Sequence, residues 1–180
     1  MKFKNAFRIW APIAVSGIIL SALIYASVQQ DLRQGANDPQ IQMAQDLADS
    51  LQNGKNAQDV VGQPVDLNKS LATFVIVFDD SGKPIASSAI LDGRIPTPPA
   101  GVFTYTRQNT EDRFTWQPKP QVREAAVLMR FEGSKPGFVL VGRSLKEVEK
   151  RESRLELQIG VGLAAAVLGS LVIVIIIGGV

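Results

Sequence analysis

The sequence predicts an α+β domain with a central antiparallel sheet and flanking helices, carried between two transmembrane helices. Three observations predict it. Two uncharged apolar runs, Ile9–Val28 and Ile159–Val180, stand near the two ends of the 180 residues. At about 1.5 Å per residue each can cross a hydrocarbon core roughly 30 Å thick. Between them lie runs rich in β-branched and aromatic residues, bounded by Gly, Pro and Asp, which is the pattern of strands joined by turns. A stretch of helical periodicity on each side of those strands connects them to the anchors.

The first run begins after Lys2, Lys4 and Arg8, with no acidic residue before it. The positive-inside rule keeps those cations in the cytoplasm and sends the middle of the chain across the membrane. Trp10 and Tyr25 sit near the two ends of the run, where amphipathic rings favour the interface, and Pro12 lies in the first turns, where a missing N–H matters least. The run exceeds the 7–15 residues, approximately, of a signal-peptide core, and Ala26-Ser27-Val28 is a poor cleavage site, so an uncleaved anchor is expected. Gly17 with Ser21 and Ala22 with Ala26 offer small-residue spacings for close helix packing, as do Gly160, Gly162, Ala166 and Gly169 in the second run. The expected organisation is a cytoplasmic N-terminus (1–8), a first transmembrane helix (9–28), an extracytoplasmic domain (29–158) and a second transmembrane helix (159–180), in a two-pass cell-membrane protein.

The net charge of +2 hides an uneven distribution. All the Asp and Glu lie between Asp31 and Glu156, where 16 Lys and Arg against 17 acids leave −1. Cations so interleaved do not form the one-sided basic face of a nucleic-acid binder. These 180 residues hold no Cys and no His. Disulfides, thiolate or imidazole metal sites and His-dependent triads are thereby excluded within them, and no cofactor is expected.

Asp38-Pro39-Gln40-Ile41 opens the first helix of the domain, with Asp38 placed to cap and Pro39 at the first helical position. Ile41, Ala44, Leu47, Ala48 and Leu51 form an apolar stripe of helical period, and Gly54 is the expected stop. Leu71–Phe78 reads as a strand, Asp79-Asp80-Ser81-Gly82 as a turn, and Lys83–Ile90 as the return strand of a hairpin. Leu91–Gly101 is a connector stiffened by Pro96, Pro98 and Pro99. Val102–Arg107 is open between helix, introduced by Pro-Pro-Ala-Gly, and strand, favoured by its β-branched and aromatic residues. Phe114–Gln117 reads as a short strand ended by Pro118. Val122–Phe131 and Gly137–Gly142 are the strongest strands. In the former, Ala125, Val127, Met129 and Phe131 share one face while Glu124, Leu128 and Arg130 share the other. Ser144-Leu145-Lys146-Glu147 is a capping box. The helix it starts has no Pro or Gly before Gly160 and can run straight into the second membrane segment, with charges in Lys146–Glu156 spaced for i,i+4 pairs or a dimer contact.

An anchor, a helix, a hairpin of the form FVIVFDDSGKPIASS, further strands, and GFVLVGRSLKEVEKRE leading into a second anchor resemble the PAS-like sensor domains, called PDC or Cache, of bacterial receptors such as sensor histidine kinases and chemoreceptors. The resemblance spans roughly Gln29 to Gln158 and is strongest at Phe74–Ser88 and Gly137–Glu152. It implies a sheet cupped around a small ligand, often an organic acid or amino acid, with signals leaving as a small displacement of the last helix. It also implies pairing of two chains through their long helices. Receptors of that family continue into HAMP, kinase or methyl-accepting modules. None lies within these 180 residues, so sensing is expected of the domain, and output is expected through a signalling partner or through further chain.

A pocket for such a ligand would take its polar lining from Arg94, Tyr105, Arg113, Trp116 and Arg123, with Arg123 and Trp116 foremost. A guanidinium fork matches a carboxylate, and aromatic rings make pocket walls. The plainer reading makes each Arg a solvated charge and Trp116 a core plug. Asp79 and Asp80 need no metal to explain them in a turn, and Asn68-Lys69-Ser70 fits a glycosylation pattern of no consequence in a bacterial cell. Two functions follow: a membrane-anchored sensor of a small organic ligand, and a non-catalytic structural or assembly protein of the envelope. No constellation of catalytic residues points to an enzyme.

Overall fold

The computed structural model describes residues 3–35 and 38–178, apart from the side chains of residues 3–6, 32–34, 38 and 178. Lys2, the Lys4 side chain and the expected Asp38 cap lie outside the described residues. The chain divides into two compact units, one formed by Met1–Arg33 with Glu149–Val180 and the other by Gln34–Val148.

The first unit is built from α1 (Phe3–Gly35) and most of α5 (Lys146–Gly178), each 33 residues long. Both carry segments long and apolar enough to cross a membrane, Phe7–Asp31 and Lys146–Ile177. Ile18, Leu20 and Ile24 on α1, and Leu168, Ile173 and Ile176 on α5, stay exposed, and a helix that shows apolar side chains to its surroundings in this way calls for lipid rather than water. Two candidate membrane helices therefore flank a sheet domain. Within this unit the Trp10 indole N–H donates to the Val167 carbonyl and the Ser170 hydroxyl, each at 3.1 Å. The Tyr25 hydroxyl donates to Glu156 Oε1 at 2.6 Å. Among the described glycines of the two helices, only Gly17 has a neighbour, Leu163, within 4 Å of where a Cβ would stand.

In the second unit α2 (Asp38–Gln52) buries Gln40, Ala44, Ala48 and Leu51. It ends where expected: Gly54 adopts φ +90°, its N–H bonds the Leu51 carbonyl, and the Lys55 N–H bonds the Ser50 carbonyl. That Schellman arrangement satisfies carbonyls the helix would leave open. A short α3 (Ala57–Val60), capped by the Asn56 side chain, and β1 (Val65–Asp66) follow. The remaining elements are β2 (Phe74–Asp79), β3 (Pro84–Ser87), β4 (Ala89–Ile90), α4 (Ala100–Asn109), β5 (Glu111–Lys119), β6 (Val122–Phe131) and β7 (Gly137–Ser144). Five of the strands make an antiparallel sheet in the order β3-β2-β7-β6-β5, while β1 and β4 pair in parallel beside it.

Two local departures from expectation, and one segment that the sequence leaves open, have physical causes. The hairpin's return strand breaks at Ser88, whose buried hydroxyl accepts from the Val75 N–H at 2.9 Å, so the chain leaves the sheet and β4 pairs with β1 instead. Val102–Arg107 is helical. Phe103 sets its ring edge-on against Phe78 and Phe138, at centroid distances of 5.0 and 5.4 Å, and Thr106 is buried one turn on; tertiary packing outweighs β-propensity here. β5 runs through Pro118 to Lys119, with an irregular register after Trp116. An edge strand tolerates proline because its outer N–H has no ladder partner.

The sheet is apolar on both faces. Val75, Val77, Val127, Met129, Phe131, Val139 and Val141 pack with α2 and its stripe. Phe74, Ile76, Phe78, Trp116, Ala126, Leu128, Phe138 and Leu140 are covered by α4 and the β1–β4 pair. Gly142 lies between Phe74 and Ala126 in register, and a Cβ there would stand 2.2 Å from the Phe74 ring. Gly142→Ala should therefore lower stability by about 1–3 kcal/mol through overpacking. Gly160→Ala, with nothing within 4 Å, should leave it unchanged. Thermal melts of the two variants check this, and a Gly142→Ala protein as stable as the parent contradicts the packing.

Candidate functional site

Strand alternation places Glu124 on the face beneath α4 and the β1–β4 pair, between Val122 and Ala126 on β6. Its cross-strand neighbours are Trp116 on β5 and Ser144 on β7. The residue is 1% exposed, and neither carboxylate oxygen has a hydrogen-bond partner among the described residues. Burial pushes its pKa up to about 7, because a charged carboxylate loses solvation that nothing around it replaces.

The other charged groups on this face are held elsewhere. Arg130, six residues along β6 and about 20 Å away, stacks over Phe138 and pairs with Glu132 and Asp80. Arg107 of α4 lies over the same ring and bonds the Asp80 carbonyl. Asp112 of β5 is half-buried, and burial raises its pKa too. The cations of this face thus gather at the Phe138 end, and the acid sits at the other.

That other end is the root of α5. Ser144 closes β7, and its hydroxyl accepts from the Lys146 N–H at 3.4 Å. The Leu145 N–H donates to the Arg123 carbonyl at 2.9 Å. The backbone next to Glu124 is therefore bonded to the residue from which α5 departs.

The five residues expected to line a pocket do not converge. Trp116 is buried in the core, opposite Glu124, with its ring 6.5 Å from Phe74. Arg123 and Arg113 fall at the odd positions of their strands, on the other side from Glu124 and Trp116, and are exposed. Arg113 pairs with Glu111. Tyr105 is exposed on α4. Arg94 lines a separate open hollow of about 560 Å³ with Asp92, Ile95, Pro96, Thr97 and Lys119. Of the five, only Trp116 shares a face with the buried acid. The sequence offers a partial signal for Glu124, an acid that alternation sets on one face with Ala126 and Leu128, and a search for guanidinium forks passes over it.

Asp79 is explained by its turn: the Ser81 hydroxyl and the Ser81 and Lys83 N–H groups all donate to Oδ1, and those bonds lower its pKa. Among the described residues there is no group of three or more acids placed to hold a metal ion. Compared with known proteins, the chain matches no family model, no curated protein and no solved structure.

Glu124 makes stability pH-dependent with a definite sign. Its folded pKa of about 7 exceeds the ordinary 4.5, so the native state binds the extra proton between those values, and stability falls as pH rises from about 4.5 to about 7. At about 1.4 kcal/mol per unit the full span amounts to about 3 kcal/mol. Asp79 and Asp92, whose pKa values are lowered, act with the opposite sign below pH 4. The difference between parent and Glu124→Gln isolates the effect. The two should be similarly stable at pH 4.5, and the variant should be more stable at pH 8; equal stability at both pH values contradicts a buried, partnerless acid.

Proposed function

We propose that this protein is a membrane-anchored, extracytoplasmic sensor. In this reading its middle domain is PAS- or PDC-like, binds a small ligand on the covered face of the sheet, and passes the event on through α5 or a partner membrane protein. The observation that carries the reading is Glu124. A buried ionisable side chain with no partner opposes stability, and such groups concentrate where a protein binds or reacts. A carboxylate there is completed by a proton or by a ligand that brings a hydrogen-bond donor or positive charge, and the Trp116 ring offers such a ligand an aromatic wall. The place of the acid supports transmission, since its cross-strand neighbour Ser144 is the last residue before the turn into α5.

The order of elements supports the family reading: a helix on one face, a hairpin, and three long strands, the last of them leading into an apolar helix. The cations ahead of the first apolar run support the sidedness. The reading is non-catalytic, with no histidine or cysteine to supply the usual bases and nucleophiles. The alternative, a structural or assembly protein of the envelope, draws on the scatter of the five Arg and aromatic candidates.

The test is a thermal-shift panel of amines, amino acids and organic acids on the full chain in nanodiscs at pH 8. A ligand that completes Glu124 should stabilise the protein by about 2.7 kcal/mol at a hundredfold excess over its Kd, and Glu124→Gln should abolish the shift. A panel without a Glu124-dependent hit moves the assembly reading ahead, to be followed by identifying the membrane proteins that co-purify.

A further inference from the structure

A second hollow, of about 400 Å³, opens on the opposite face and at the opposite end of the sheet from Glu124. It lies between the end of α2, the start of α3, the edge strand β3 and the β6–β7 turn. Its floor is apolar, with Leu51, Val77 and Phe131 buried and Ala57 and Ile85 alongside. Its rim is formed by Lys55, Asn56, Ser134 and Lys135. No Asp or Glu lines it.

Both lysines are exposed, and neither is among the ion pairs of the described residues. Glu132, the acid nearest in the turn, is held by Arg130 at 2.7 Å. At the end of α2 the carbonyls of Asp49, Leu51 and Ser50 are occupied by the N–H groups of Asn53, Gly54 and Lys55. The rim is also fixed in place. The Glu132 N–H donates to Gln52 Oε1 at 3.3 Å, and the Gln58 amide braces α3 to β3 through the Ile85 carbonyl at 3.1 Å. Asn56 Oδ1 is taken by the Gln58 N–H, which leaves the Asn56 amide N–H groups as donors.

We propose that this hollow binds a small amphipathic organic acid, its carboxylate between Lys55 and Lys135 and its apolar body on Val77, Phe131 and Leu51. The volume is in the range of small-molecule sites, which combine an apolar wall with a few placed polar groups. The two ammonium groups without acids between them set the charge of the ligand, and the floor sets its apolar body. This site is independent of Glu124 and of the sensor reading.

The test is isothermal titration calorimetry of sodium hexanoate into the full chain in nanodiscs of zwitterionic lipid, with empty nanodiscs as the blank. Hexanoate should bind saturably, and the double variant Lys55→Gln/Lys135→Gln should bind at least tenfold more weakly with an unchanged melting temperature. Hexylamine should not bind, and inorganic phosphate should bind at least tenfold more weakly than hexanoate. Heats no larger than the blank, full affinity in the lysine double variant, or phosphate binding as tightly as hexanoate would each overturn the proposal. Glu124→Gln should leave hexanoate binding intact, so failure here and failure of the sensor reading are told apart.

Discussion

The structure depends on one constraint: the central strands β2, β7 and β6 are apolar on both faces, so neither face can be left to water. Phe74, Ile76 and Phe78 alternate with Val75 and Val77 along β2, and all five are buried. A sheet of this kind needs a layer on each side. α2 supplies one with its Ala44, Ala48 and Leu51 stripe. α4 and the β1–β4 pair supply the other through Phe103, Leu67 and Leu91. Placing Gly142 under the Phe74 ring lets the second layer come close.

Against that requirement Glu124 stands out. The face it occupies is otherwise packed with aromatic and aliphatic side chains, and the cations of that face are engaged around Phe138 and Asp80. Its neutral form is compatible with this surrounding and its charged form is not. A pKa near 7 makes the balance between the two sensitive to small changes in what surrounds the carboxyl. The same strand segment is bonded to the residue preceding α5, which is the physical link that the proposed transmission would use. The hollow bounded by Lys55 and Lys135 lies at the far end of the strands and draws on different residues, so the domain carries two chemically distinct features on one scaffold.

Much of this architecture was legible in the residues. The β6 span, the start of β7, the α2 stripe with its Gly54 stop and the unbroken run of α5 follow from local periodicity and turn chemistry, which short windows encode. What escaped, or was left open between helix and strand, depends on distant partners. The β1–β4 pair joins segments some two dozen residues apart through two residues each, too short for any pattern. The helix at Ala100–Asn109 wins over strand because Phe103 finds Phe78 and Phe138. The Arg and aromatic candidates scattered for a related reason: spacing along a strand decides the face, and Arg113 and Arg123 occupy the face opposite Trp116. The same alternation assigned Glu124 to its face, but only the covering layers reveal that the face is buried there.

The central claim is that the state of Glu124 reaches α5. The absence of cysteine allows spin labels to be placed on introduced cysteines alone, at the exposed positions Gln45 on α2 and Ser153 on α5. Electron–electron distance measurements on this pair in nanodiscs, at pH 5.5 and pH 8, read the claim directly. The account predicts two different distance distributions in the parent background, and in Glu124→Gln a single one that matches the parent at pH 5.5. One distribution at both pH values, or a pH-dependent shift that persists in Glu124→Gln, would contradict it.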